Sequence, residues 1–436
     1  MGQRIAVVGA GISGLGAAWA LHRDNEIVVY EADERLGGHS NTVEVETPSG
    51  AVPVDTGFIV YNEVTYPHLT RLFSALGVNT EGSDMSFAFS MGKSFEYAAS
   101  ARGLVAQPTN LLRASYRSMI SDIMRFRRIG SELRPRQDET IDELLTRHGF
   151  GAAFLEEYLL PMTASIWSAR QSEIRKFPAV SILRFLNNHG LIRITDRPLW
   201  RTVSGGSREY VRRLAHPFKD RVRVATPVTL VERHEDRVEI TANGRRESFD
   251  QLVLATHSDH SLAILGRNAT DTERNVLGEI RYEPNHAVLH SDPSLMPTRR
   301  RVWSSWNAMV SPADRGSRVA SVTYWMNRLQ RLDTGKQLFV SLNPIQDPDP
   351  SLTHRRFDYA HPQFDHRTVD AQRRLAKIQG ARRTWFAGAY CGYGFHEDGL
   401  QAGLNVAAAL GSPPPWWGSF EPMSSSLPPD RIGALV

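Results

Sequence analysis

The sequence predicts an α/β protein in which a parallel-sheet unit, assembled from both ends of the chain, is interleaved with an α+β unit. Three observations predict it. The short apolar run Arg4–Val8 leads into spaced glycines, an alanine-rich stretch and a second apolar run, Glu26–Tyr30. At the far end, Trp385–Ala389 and the stretch from Glu397 to Leu410 repeat the strand–loop–helix order. Between them, runs such as residues 318–325 (RVASVTYW) alternate like antiparallel strands with one buried face.

Composition sets the bounds. The 436 residues are 41% hydrophobic and 22% charged, enough for a large core and too many for one compact unit. The single cysteine, Cys391, excludes an intramolecular disulfide and a cysteine-based zinc site, and no metal site is expected. A net charge of +4 is too small to argue nucleic-acid binding without a basic motif. The stretch Ile5–Leu21 carries no charge and follows Arg4, like the core of a signal peptide. Its glycines Gly9, Gly11, Gly14 and Gly16 instead fit a strand–turn–helix. No other run approaches the ~18 apolar residues of a membrane span, so a cytoplasmic location is expected.

The first element is a dinucleotide cradle. Gly9 permits a tight turn, Gly11 lets the backbone approach a pyrophosphate, and Gly14 lets the helix pack closely on the strand. Ser13 lies in the first helical turn, whose unpaired N–H groups and partial positive charge face the phosphates. Glu31 ends the second strand about 20 residues on, where a carboxylate accepts hydrogen bonds from ribose hydroxyls. This is a Rossmann-type unit.

The segments beyond Glu31 narrow the cofactor. Gly37-Gly38-His39 and Asp55-Thr56-Gly57-Phe58 resemble the glycine pair and the flavin-side loop of the amine oxidase and phytoene desaturase superfamily. Gly388 ends the late strand, and Gly399 and Leu400 stand in the first turn of the last helix, whose N-terminus that superfamily directs at the flavin. A helix dipole there stabilises the negative charge of a reduced flavin. The resemblance implies FAD, an amine oxidase-like two-domain flavoprotein, and a backbone near Val228 that faces the adenine. It also sets the turn Ala255-Thr256 by the pyrophosphate. Ser204-Gly205-Gly206-Ser207 resembles a further glycine pair near the flavin, or is a plain helix N-cap.

The FAD-binding domain is therefore expected in three segments, 1–65, 201–270 and 376–412. The substrate domain is expected as a helical segment, 66–200, and an antiparallel-sheet segment, 271–375. Residues 413–436 form a proline- and serine-rich tail, docked by Trp416 and Trp417.

Several strings, Asp55–Pro67, Arg197–Tyr210 and Ala389–Gly399, resemble a bacterial branch of predicted FAD-binding oxidoreductases. Some of its members are associated with modified fatty acids and with cyclopropane-synthase-like methyltransferases. That resemblance implies a fatty-acyl substrate and a lipid-modifying methyltransferase as a partner. Departures from amine oxidases are visible. His396 stands beside the position of their aromatic wall, Tyr390 replaces an acid, and Lys93, Lys176, Lys219, Lys336 and Lys377 lie outside any recognisable flavin-lysine string.

His396 is the candidate base, with a pKa near neutrality, or else a neutral histidine hydrogen-bonded beneath the ring. Tyr61 and Glu397, with Glu63 and Tyr66, are the other candidates. Cys391 follows the strand glycine, unlike the attachment cysteine of monoamine oxidases, so non-covalent FAD is expected. In Leu111–Arg136 the residues Leu112, Tyr116, Met119, Ile120 and Ile123 share a helical face beside Arg113, Arg117, Arg127 and Arg128. This is a helix that docks on an anionic membrane or one packed on its own domain. Three functions stay open: a desaturase-like oxidoreductase acting on a hydrophobic chain, an amine oxidase, and a flavin-stabilised non-catalytic partner of a lipid-modifying complex.

Overall fold

In the computed structural model, which describes residues 2–136, 138–192, 198–311 and 321–418, the two ends of the chain meet in one five-stranded sheet. Strands β1 (Arg4–Val8) and β2 (Glu26–Tyr30) lie at its centre, flanked by Val222–Arg223, Gln251–Leu254 and Thr384–Phe386, all parallel. Both faces are covered, which is why these strands read as continuous apolar runs.

Helix α1 (Ile12–Leu21) lies on one face, and all of its residues are buried because the C-terminal helix His396–Ala409 packs against it. A Cβ on Gly403 would strike the Ser13 backbone, so the two helices cross backbone to backbone. The opposite face carries the antiparallel meander Val228–Arg233, Val238–Ala242 and Arg245–Phe249.

The second unit is a seven-stranded sheet in the order Thr353–Pro362, Tyr282–His290, Phe339–Leu342, Ser321–Trp325, Trp306–Met309, Phe87–Ser90, Glu96–Ala98. Helices such as Ala114–Ile129 and Ala179–Asn188 build an aromatic-rich core on it. The segment 66–200, expected as mostly helical, also contributes Phe87–Ser90 and Glu96–Ala98 as strands of this sheet. Their alternation is too short to stand out, and Phe87–Ser90 finds its parallel partner, Trp306–Met309, far along the chain.

Val276, Leu277, Ala371 and Leu375, from segments expected in the substrate domain, pack into the core of the parallel sheet. Trp416 stacks on Trp19 at 5.6 Å and docks the tail, while Trp417 is half exposed. Residues 312–320 of the alternating block, Arg197, and 419–436 of the tail lie outside the described residues. Among the described residues no helix is long and apolar enough to cross a membrane.

Candidate functional site

β1 ends in a turn at Gly9, whose φ of +99° L side chains rarely adopt. A Cβ there would lie 2.6 Å from the Ala255 carbonyl oxygen, and one on Gly14 would strike the Gly9 carbonyl. These approaches seat α1 directly on β1 and on the turn Ala255-Thr256. Gly11 differs: a Cβ on it would meet nothing within 4 Å. It is the N-cap of α1 and supplies no side-chain cap, so the first-turn N–H groups, Ser13 among them, have no intrahelical partner.

The acid stands where it was expected. Glu31 accepts the Ala10 N–H at 2.7 Å through Oε2, and its carbonyl accepts the Thr226 N–H at 2.8 Å. The second bond carries the chain across the tip of β2 into the strand that begins at Val228. Gly38 closes the other side, because a Cβ on it would lie 3.3 Å from the Gly11 Cα. Glycine loop, unpaired donors and acid surround one open position. These residues fit a dinucleotide whose pyrophosphate crosses Gly11.

His39 stands at the junction of the two units. Its ring stacks on Tyr359 at 5.0 Å, with His361 at 5.3 Å and His257 at 6.3 Å. Its Nε2 is buried with no hydrogen-bond partner among the described residues, and burial among those histidines holds it well below the usual imidazole range. The next loop is fastened by its backbone. Phe58 N–H donates to the His39 carbonyl at 2.7 Å, Thr56 N–H donates to Asn41, and a Cβ on Gly57 would strike the His39 carbonyl.

Asp55 anchors that loop. Its carboxylate accepts the Ser207 N–H and hydroxyl, the Thr42 hydroxyl at 2.6 Å and the Gln330 amide at 3.0 Å. Burial raises its pKa to about 6 against those bonds. The Ser207 hydroxyl is thereby taken from helix capping, and Gly205 and Gly206 turn at φ +82° and +87°. Ser207 thus takes the N-cap position of the helix Arg208–Ala215 without capping it through its hydroxyl. Asp55, Thr42 and Gln330 were not legible as a cluster, since their partners lie in four separate segments.

The N-terminus of the last helix corrects the candidate base. His396 turns toward the loops that carry Ser40 and Phe58: its ring stacks on Phe58 at 3.8 Å, and Nε2 lies 2.6 Å from the Tyr210 hydroxyl and 3.3 Å from Ser40 Oγ. Burial pushes its pKa down to about 3, not to neutrality. Its Nε2 is engaged by Tyr210 and Ser40, as the hydrogen-bonded alternative expects.

Its neighbour Phe395, missed in the sequence, faces the other way. It packs on Phe185 at 4.8 Å, His189 at 5.8 Å and Trp167 at 6.4 Å. Phe395 is the extended N-cap, with φ −97° and ψ 170°, and His396 the first helical residue, so the two side chains diverge where the helix begins.

The other candidates also have fixed partners. Glu397 accepts the backbone N–H groups of His68 at 2.8 Å and Leu69 at 3.0 Å, tying the last helix to α2 (Pro67–Leu76). Burial raises its pKa to about 8. Tyr61 donates to Thr80 Oγ1 at 3.3 Å from within the core, and exposed Glu63 pairs with Arg201 at 3.5 Å. Burial likewise drives the Tyr66 phenol far above its usual range, so it keeps its proton. Gly388 ends the late strand, and Gly399 packs on Ile12 and Ser13, with Leu400 beside Gly16. Burial pushes the Cys391 thiol up to about 12, so it keeps its proton in the neutral range.

Residues 12–288 match the family described as flavin containing amine oxidoreductase. No curated protein matches the chain significantly by sequence. Among solved structures, cyclohexylamine oxidase from Brevibacterium oxydans IH-35A is similar at TM-score 0.67 and 17% identity, over 94% of this chain and 99% of that one. Putrescine oxidase bound to putrescine is similar at 0.66 and 15% identity, over 94% and 99%. A CLA-producing fatty acid isomerase from P. acnes is similar at 0.65 and 15% identity, over 93% and 98%. At these identities the likeness establishes the fold alone. The sequence match spans more than half of the chain and agrees with the Gly11 cradle: the chain belongs to the flavin containing amine oxidoreductase family and is an FAD-dependent oxidoreductase.

Proposed function

We propose that the chain oxidises a hydrophobic substrate, a fatty-acyl chain, in a desaturase-like reaction. The observation that carries this reading is the aromatic wall around Phe395, formed by Phe185, His189 and Trp167, with Trp200 and Tyr66 next to His189. A wall of this kind gains from burying methylene groups, about 0.8 kcal/mol for each. It offers no carboxylate to an ammonium group, because Glu397 is committed to backbone N–H groups.

Gly9, Gly11, Ser13, Gly14, Glu31, Gly38 and Val228 would hold the dinucleotide, with Ala255 and Thr256 beneath it. His39, Thr56, Gly57, Phe58, Gly388, Gly399 and Leu400 would border the flavin. Bound FAD supplies a hydride acceptor. The aromatic wall orients the chain and excludes water.

Aromatic rings also attract cations, so an amine substrate is the second reading. It has the support of a fold shared with putrescine and cyclohexylamine oxidases. Anaerobic mixing decides between the two. We expect the flavin absorbance to bleach with fatty-acyl substrates and to persist with polyamines and aryl amines. Bleaching by amines alone would overturn the acyl reading, and bleaching by neither would favour a non-catalytic subunit.

A further inference from the structure

We propose that His189 is the proton-accepting residue on the substrate side of the site. This rests on the acyl-substrate reading, in which the chain lies against the aromatic wall. His189 is the C-cap of the helix Ala179–Asn188, and its Nδ1 lies 3.0 Å from the Phe185 carbonyl oxygen. A carbonyl can only accept, so Nδ1 carries the hydrogen and Nε2 carries the lone pair. Nε2 has no hydrogen-bond partner among the described residues.

The ring itself is fixed. It stacks on Phe185 at 3.9 Å and on Trp200 at 6.1 Å, with Phe395 at 5.8 Å and the edge of Tyr66 at 6.3 Å. His189 thus combines an oriented tautomer, an open acceptor and contact with Phe395. The other basic groups near that helix N-terminus lack one of these. His396 spends Nε2 on Tyr210, and Glu397 spends both oxygens on His68 and Leu69.

A desaturation must dispose of two hydrogens. One hydrogen leaves with the electron pair of its C–H bond as a hydride, for which bound FAD would supply the acceptor. The pair of the adjacent C–H bond becomes the new C=C bond, and its proton passes to His189 Nε2. The imidazolium then releases that proton to water.

Burial holds His189 down to about 4, so the accepting form is present throughout the neutral range. The titratable and charged groups on the elements around it are Arg184 on its own helix, Arg201 beside Trp200, Tyr66 with His68 and Arg71 on the helix that follows it, and His396, Glu397 and Asp398 of the last helix. Glu397 is bonded to the His68 and Leu69 N–H groups, and Asp398 accepts the Phe395 N–H at 2.9 Å.

The test is His189→Gln in the FAD-loaded protein, mixed anaerobically with a fatty-acyl substrate and, in parallel, with an amine. We expect unchanged FAD content and bleaching slowed ~10²-fold, the usual scale of a lost general base. The acid limb of the wild-type profile should lie below pH 5 and vanish in the variant. A second measurement is independent of turnover: histidine C2 hydrogen–deuterium exchange of the wild-type holoprotein should slow at His189 when the acyl chain binds.

Wild-type bleaching rates in His189→Gln, with whichever substrate bleaches the wild type, would overturn the proposal. Bleaching by the amine alone would sink the acyl reading while His189 is judged on that arm. If neither substrate bleaches the wild type, the assignment is overturned together with the acyl reading. If the variant does not fold, exchange at His189 decides: protection by the substrate that bleaches the wild type upholds the assignment, and its absence overturns it.

Discussion

A Cβ on Gly11 would touch no protein atom, whereas one on Gly14 would strike the Gly9 carbonyl, so two glycines of one motif answer to different constraints. Gly11 has extended backbone, with φ −74° and ψ −174°, which a β-branched residue adopts readily. We therefore expect Gly11→Val to fold with the melting temperature of the wild-type apoprotein and to retain no FAD, read as flavin absorbance per protein. Gly14→Ala should instead destabilise the apoprotein by ~1–3 kcal/mol through overpacking. Wild-type FAD content in Gly11→Val would remove Gly11 from the cofactor site. At this scale the glycine motif was legible, because each glycine answers a local steric demand. The division of labour between Phe395 and His396 was not. It depends on which wall each side of one helix turn meets, and those walls come from residues 58, 185 and 210, far away in sequence.

Among the elements, the parallel strands were readable because doubly buried strands leave unbroken apolar runs. Short edge pieces such as Glu96–Ala98 carry too few residues to show a period, and only their partners define them. The helix Ala114–Ile129 was legible as amphipathic but not in its orientation. Tyr116, Met119, Ile123 and Phe126 are buried in its own domain, so most of its apolar face is not available to a bilayer. A surface strip remains. Leu112 is 81% exposed and Met124 51% exposed, beside exposed Arg113, Arg117 and Arg128. If that strip docks, the protein should sediment with anionic vesicles at low salt and progressively less as salt screens the contact. Replacing Arg113, Arg117, Arg127 and Arg128 by Gln should abolish the sedimentation. Equal binding by that variant would reject membrane docking through this helix.

For the whole molecule, interleaving two units buries histidines at their junction, and this sets how stability responds to pH. His39, His257 and His361 gather between the glycine loop, the Ala255-Thr256 turn and the seven-stranded sheet, while His396 begins the last helix and His189 packs on its N-cap, Phe395. Burial lowers all five, His257, His361 and His189 to about 4. Between the ordinary imidazole value and that level, the unfolded chain binds protons that the folded chain does not. Stability must then fall as pH falls through this window, by up to ~2 kcal/mol per histidine at pH 5. The raised carboxyls act with the opposite sign. Asp55 and Glu397 penalise folding once ionised, so their cost grows as pH rises toward about 6 and about 8 respectively. Five histidines outweigh two acids on the acid side, and Glu397 alone acts above pH 6.5. The melting temperature of the holoprotein should therefore peak between pH ~6 and ~7 and drop steeply toward pH 4.5. A flat profile from pH 6.5 to 4.5 would mean that these histidines take up protons in the folded state, and that the junction between the two units is open to water.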